Sequence, residues 1–194
     1  MSHPRHTIKI FITLLFLFFS AQHSSAAKFE FQKSIANYQI PDVVLTNQDG
    51  KKVPLIPFLD SEKPVMLEFI FATCTTICPV MSVSFTNLQR RLGKDTEKLR
   101  LVSVSIDPEH DTPSIMNKYL NRYNAQNGWD FLTGSKEDID LVMKAFDAYV
   151  SDKMNHQPLT FMRSPEEKQW VRVNGFLSGK EMMKEYQKLI GQDL

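Results

Sequence analysis

Apolar residues along this chain follow two alternating rhythms, short near-continuous runs and spacings of three and four. Residues 64–72 read Pro-Val-Met-Leu-Glu-Phe-Ile-Phe-Ala, the pattern of a strand covered on both faces, and they end at Thr73 and Cys74. Before this run, residues 38–44 and 51–55 are strand-like and flank Asn47-Gln48-Asp49-Gly50, turn chemistry that joins them as a β-hairpin. After it, Met81, Phe85, Leu88 and Leu92 recur at helical spacing. Pro79 suits the first turn of that helix, Arg90 and Arg91 its last, and Gly93 its stop. Residues 99–106 form a further strand that empties into Asp107-Pro108-Glu109-His110-Asp111-Thr112-Pro113, where Thr112 as cap and Pro113 as first residue open a helix to residue 123. A short strand at 129–132 precedes Ser135-Lys136-Glu137-Asp138, which has the form of a capping box, and a helix over 139–149. Residues 158–162 and 170–173 are two more strands, and Ser178-Gly179-Lys180-Glu181 caps a last helix to about residue 190.

Strands alternating with helices, then an antiparallel pair and a closing helix, predict an α/β fold: a thioredoxin-like sandwich with an added N-terminal β-hairpin, over residues 38–194. Residues 28–37 carry little pattern and read as a linker. Sites on open α/β sheets gather outside the carboxyl ends of the strands, and Cys74, Cys78 and Asp107 all fall there.

Residues 1–27 are a separate object. Arg5 and Lys9 precede an apolar stretch over 10–19, and Ser25-Ala26-Ala27 supplies the small residues a signal peptidase reads. Spanning a bilayer takes about 20 apolar residues, so the stretch has the length of an export-signal core. The segment is read as an export signal, with retention as a short N-terminal anchor the other reading. Its removal moves the formal charge from +1 to about −1, and neither value suggests nucleic acid as a partner.

The chain has two cysteines, Cys74 and Cys78, placed where a strand feeds a helix. Orphan N–H groups and the positive helix end favour thiolate there. Residues four apart share a helical face, so the pair could close a disulfide or grip a soft metal, copper(I) or zinc, that needs a further ligand. An exported chain of this length buries its core without a staple, and a disulfide closing so short a loop stabilises little, which weakens a purely structural reading. Two histidines lie well inside the domain, His110 in the acidic loop and His156 ahead of the strand at 158–162. The methionines sit mostly at core spacing, Met154 being the one nearest His156.

Phe69-Ile70-Phe71-Ala72-Thr73-Cys74-Thr75-Thr76-Ile77-Cys78-Pro79, then Ser105-Ile106-Asp107-Pro108-Glu109-His110-Asp111-Thr112-Pro113, then His156 before a strand, together resemble the Sco/SenC family over residues 38–190. The resemblance implies a thioredoxin-like, exported or membrane-associated protein. It implies one copper, as Cu(I) or Cu(II), bound through Cys74, Cys78 and His156, with Cys74 and Cys78 also a redox pair. It implies service to the copper-accepting subunit of cytochrome c oxidase in assembly of its dinuclear copper centre, with a thiol reductant or another copper chaperone as further partners. The expected location is the bacterial periplasm, free or held at the inner membrane by the N-terminal segment. Asp107 and Asp111 are candidates for supporting the ligands from behind, and residues 151–158 are expected to form a mobile loop carrying His156. The chain departs from the family pattern at Thr75, where Pro is frequent, at Asn155, where an acid is frequent, and at Ser164-Pro165-Glu166-Glu167 in place of an Asp-Gly turn. The alternative is a thiol-disulfide oxidoreductase of the thioredoxin type with copper incidental. Such enzymes space the pair by two residues rather than three, and His156 would then have no task.

Overall fold

A computed structural model describes residues 30–192. The reading of residues 1–27 as an export signal lies outside that range. Eight strands form one sheet: β1 (Phe31–Ala36), β2 (Val44–Asn47), β3 (Lys52–Pro54), β4 (Val65–Ile70), β5 (Arg100–Ser105), β6 (Trp129–Thr133), β7 (Leu159–Arg163) and β8 (Trp170–Gly175), in the order β1-β8-β7-β4-β5-β6-β2-β3. The helices are α1 (Leu55–Leu59), α2 (Cys78–Leu92), α3 (Pro113–Arg122), α4 (Lys136–Ala145) and α5 (Gly179–Leu189).

All six residues of β4 are buried, as its apolar run requires, because it lies mid-sheet between β5, parallel, and β7, antiparallel. Alternation along β4 separates two packed layers. On one face Glu68 and Ser103 align with Phe131 and Trp129, against which Tyr119 of α3 and Phe85 of α2 pack edge-on at 5.5 and 5.4 Å between centroids. On the other, Phe69, Phe161, Phe146, Tyr38 and Trp170 form a cluster of tilted and edge-to-face rings 5.0–5.8 Å apart.

The hairpin and the helix caps fall where the pattern puts them, with shifts. β2 begins at Val44, later than the strand read over 38–44. Thr112 Oγ1 accepts from the Ile115 N–H and Ser135 Oγ from the Asp138 N–H, and Ser178 and Glu181 close a reciprocal capping box. α4 stops at Ala145 rather than 149, because Phe146 caps it and Asp147 turns to φ 50°, a left-handed conformation that ends a helix. Residues 31–36, read from the sequence as linker, are β1. They pair with β8 along its whole length, and Lys33 reaches Glu185 of α5 at 3.0 Å. Their pattern was silent because Gln32, Lys33, Ser34 and Ile35 are all exposed at the sheet edge.

Candidate metal centre

The strand β4 runs out at Ile70 and a tight turn, closed by the Cys74 N–H on the Phe71 carbonyl at 3.1 Å, leads into α2. Cys78 is the first residue of α2 and Pro79 follows it, occupying a position whose N–H has no helical acceptor. Cys74 precedes the helix, so a shared helical face does not explain why the two sulfurs approach; the turn does. Both cysteines are reduced and buried.

Their surroundings split them. Burial works against the Cys74 thiolate, but Thr76 Oγ1 at 3.5 Å and the backbone and side chain of Cys78 outweigh it and hold this thiol below its ordinary range. The hydroxyl and amide groups of the turn into α2 thus favour thiolate at Cys74. Cys78 goes the other way: burial pushes its thiol far up, with little relief from the Phe71 backbone.

His156 arrives 78 residues along, just ahead of β7, the direct neighbour of β4 in the sheet. Its Nε2 lies 3.2 Å from Cys78 Sγ, and Nδ1 lies 2.6 Å from the Lys153 carbonyl. A carbonyl only accepts, so Nδ1 carries the proton and Nε2 presents its lone pair to the sulfurs. Burial lowers the His156 pKa and so favours the neutral ring, although the bond to the Lys153 carbonyl acts in the opposite direction. Phe71 covers the imidazole edge-on at 5.3 Å. The ligating atoms of Cys74, Cys78 and His156 all lie within 4.8 Å of one another. Two sulfurs and one imidazole nitrogen converging on a buried point are the donor set a soft, low-coordinate metal such as copper(I) takes, so the residues present fit the ion.

Asp111 and Asp107 stand behind this point in different ways. Asp111, fully buried, accepts from Ser105 Oγ at 2.6 Å and from the Ala72 N–H, tying the loop after β5 to the turn after β4; burial raises its pKa despite those bonds. Asp107 accepts from Lys153 Nζ at 2.5 Å and from His110 Nδ1 at 3.0 Å. Burial disfavours its charge, but the hydrogen bonds from Lys153 and His110 outweigh that and hold it below the usual carboxylate range. His110 itself stays largely exposed and outside the metal-binding group. Asn155 does not orient the imidazole; the Lys153 carbonyl occupies that nitrogen.

Within residues 151–158, the segment expected to carry His156 as a mobile loop, Lys153–Asn155 form a short 3-10 turn capped by Asp152 on the Met154 N–H. Lys153 was not legible as a site residue, since its partner lies 46 positions away. Glu68 was missed too: its Oε1 accepts from Ser103 Oγ at 2.8 Å, while Oε2 has no hydrogen-bond partner among the described residues, and burial raises its pKa to about 8.

The sequence profile of the family described as SCO1/SenC matches residues 34–191. The chain belongs to this family. Among SCO1/SenC relatives, a SCO1 protein homolog of Bacillus subtilis is 34% identical over 151 residues, spanning 74% of this chain and 77% of that one. BsSco, described as a member of the Sco family of cytochrome c oxidase assembly proteins with a disulfide switch, superposes with a TM-score of 0.67 at 29% identity, over 84% of this chain and 99% of its own. ScoI of Bradyrhizobium japonicum, solved with copper bound, shares the fold with a TM-score of 0.62 at 24% identity, over 79% and 98%. The thioredoxin-like architecture read from the element order is therefore that of the SCO1/SenC family.

Proposed function

We propose that this protein is an exported copper carrier that takes one copper through Cys74, Cys78 and His156 and serves assembly of the dinuclear copper centre of cytochrome c oxidase. The observation that carries the reading is the convergence of three soft and borderline donors within 4.8 Å of one another. Family membership supplies the oxidase context, since BsSco is described among cytochrome c oxidase assembly proteins. Copper is the cargo, and the copper-accepting oxidase subunit is its destination. A thiol reductant or another copper chaperone is the further partner, because only the dithiol form holds metal: closing a Cys74–Cys78 disulfide removes both thiolates. Residues 1–27 carry the chain to the periplasm and either leave it or hold it at the inner membrane.

The asymmetry of the cysteines favours a second reading, thiol-disulfide oxidoreductase, in which the lowered Cys74 thiol attacks and buried Cys78 resolves. His156 separates the two. In copper titrations the reduced wild type takes one equivalent and the oxidised form none, and His156→Ala lowers the affinity by more than the ~10–100-fold typical of losing a residue behind the ligands. Unchanged copper affinity in the variant, with rapid turnover of a disulfide substrate, overturns the carrier reading. Fractionation of cells expressing the full chain, with the mass of the recovered protein, tests export and cleavage.

A further inference from the structure

A continuous set of contacts runs from the loop after β5 to the imidazole. The Asp107 N–H is anchored on Ser105 Oγ at 3.0 Å, and the Asp107 side chain, 8% exposed, accepts from Lys153 Nζ at 2.5 Å. Lys153 opens the 3-10 turn that Asp152 caps, its ammonium lies 5.2 Å from the Phe71 ring centroid, and its carbonyl takes both the N–H and the Nδ1–H of His156. The same residue therefore grips the loop after β5 with its side chain and the imidazole with its backbone. The turn itself stands among exposed residues, with Met154 62% exposed. A cleft of about 320 Å³ opens beside the ion pair, between the Asp107–His110 loop and residues 150–153, so the ammonium can be reached and displaced from solvent.

Resting on the carrier reading above, we propose that Lys153 is a positioning residue, a latch whose ion pair with Asp107 fixes the His156 turn and so governs how fast copper leaves. While the latch is shut, Nε2 stands beside the sulfurs before any metal arrives, and the ordering that binding requires is already in place. When the ammonium leaves Asp107, the turn loses its ion-pair tie to the loop after β5, the Lys153 carbonyl shifts, and the imidazole swings away with it, leaving two sulfurs that a partner's ligands can compete for.

Lys153→Met keeps an unbranched apolar stem while removing the charge; Lys153→Arg keeps the charge. In reduced, metal-free protein, the ring nitrogen signals of His156 report the tautomer. Lys153→Met moves them from one fixed Nδ1–H form toward an averaged pair, and Lys153→Arg restores them. Loaded with Cu(I), Lys153→Met gives up metal to a chromogenic chelator about tenfold faster than wild type, the lower end of what outer contacts to a ligand contribute. Asp107→Asn speeds release similarly, and the double variant is no faster than the faster single one, since one interaction is lost in all three. Ring signals or release rate unchanged in Lys153→Met overturn the latch, as do fully additive effects in the double variant. A reduced wild type that takes no copper sinks the carrier reading instead, while the metal-free ring signals still decide whether Lys153 holds the turn.

Discussion

Two buried side chains one turn apart in the sequence carry opposite proton preferences, and that difference is measurable. Cys74 is held below its ordinary pKa and Cys78 is pushed far above, so at pH 7 the first carries most of the thiolate. Alkylation of the reduced protein at that pH, followed by peptide mass spectrometry, modifies Cys74 at least about tenfold faster than Cys78. Glu68 behaves in the reverse sense to a salt-bridged acid. Its pKa is raised to about 8 in the fold, chiefly by burial, against an unfolded value near 4.5. Between those values the unfolded chain loses its proton and the folded one keeps it, so stability falls as pH rises from about 5 to 8 and levels off beyond. Glu68→Gln removes that slope. Denaturant unfolding of reduced, metal-free protein at pH 6 and pH 8 shows the variant gaining on wild type at the higher pH, by an amount on the order of a kcal/mol per pH unit.

At the level of elements, the contact of α5 with α2 depends on one absent Cβ. A methyl at Gly179 would stand 2.4 Å from the Asn87 Cβ and 3.3 Å from its backbone carbon, so the two helices pack only because that position is bare. Gly179→Ala costs about 1–3 kcal/mol by overpacking, and Ser178→Ala, which removes the reciprocal cap next to it, about 1 kcal/mol. Chemical denaturation checks both. What could be read in the sequence has a common physical character: signals carried by residues close together. The β4 run, the Thr112 and Ser178 caps and the Asn47–Gly50 turn are local, and each appears where its pattern places it. The Cys74, Cys78 and His156 cluster was legible only through the resemblance to a family, since spacing alone left the third ligand open. The Lys153–Asp107 contact and the role of β1 were not legible, because an exposed strand has no apolar rhythm and an ion pair across 46 residues leaves no local mark. The end of α4 was misplaced because Phe146, Ala148 and Tyr149 continue the apolar pattern past Asp147, whose backbone has already left the helix.

For the whole molecule, β1 is part of the domain and not a lead-in to it. Compared with a chain starting at Glu30, a chain starting at Tyr38 leaves β8 without its outer neighbour and Glu185 without Lys33, and unfolds at markedly lower denaturant concentration. The direction of β1 has a further consequence. Phe31 pairs with Gly175, whose N–H bonds the Pro158 carbonyl two residues past His156, and the next strand inward is β4, which there delivers the chain to the cysteines. The polypeptide therefore enters the sheet at the pole from which copper would come and go, about three strand spacings, or roughly 14 Å, to one side. Any tether drawn tight from ahead of residue 30 orients the molecule with its donor atoms toward the tethering surface rather than away from it.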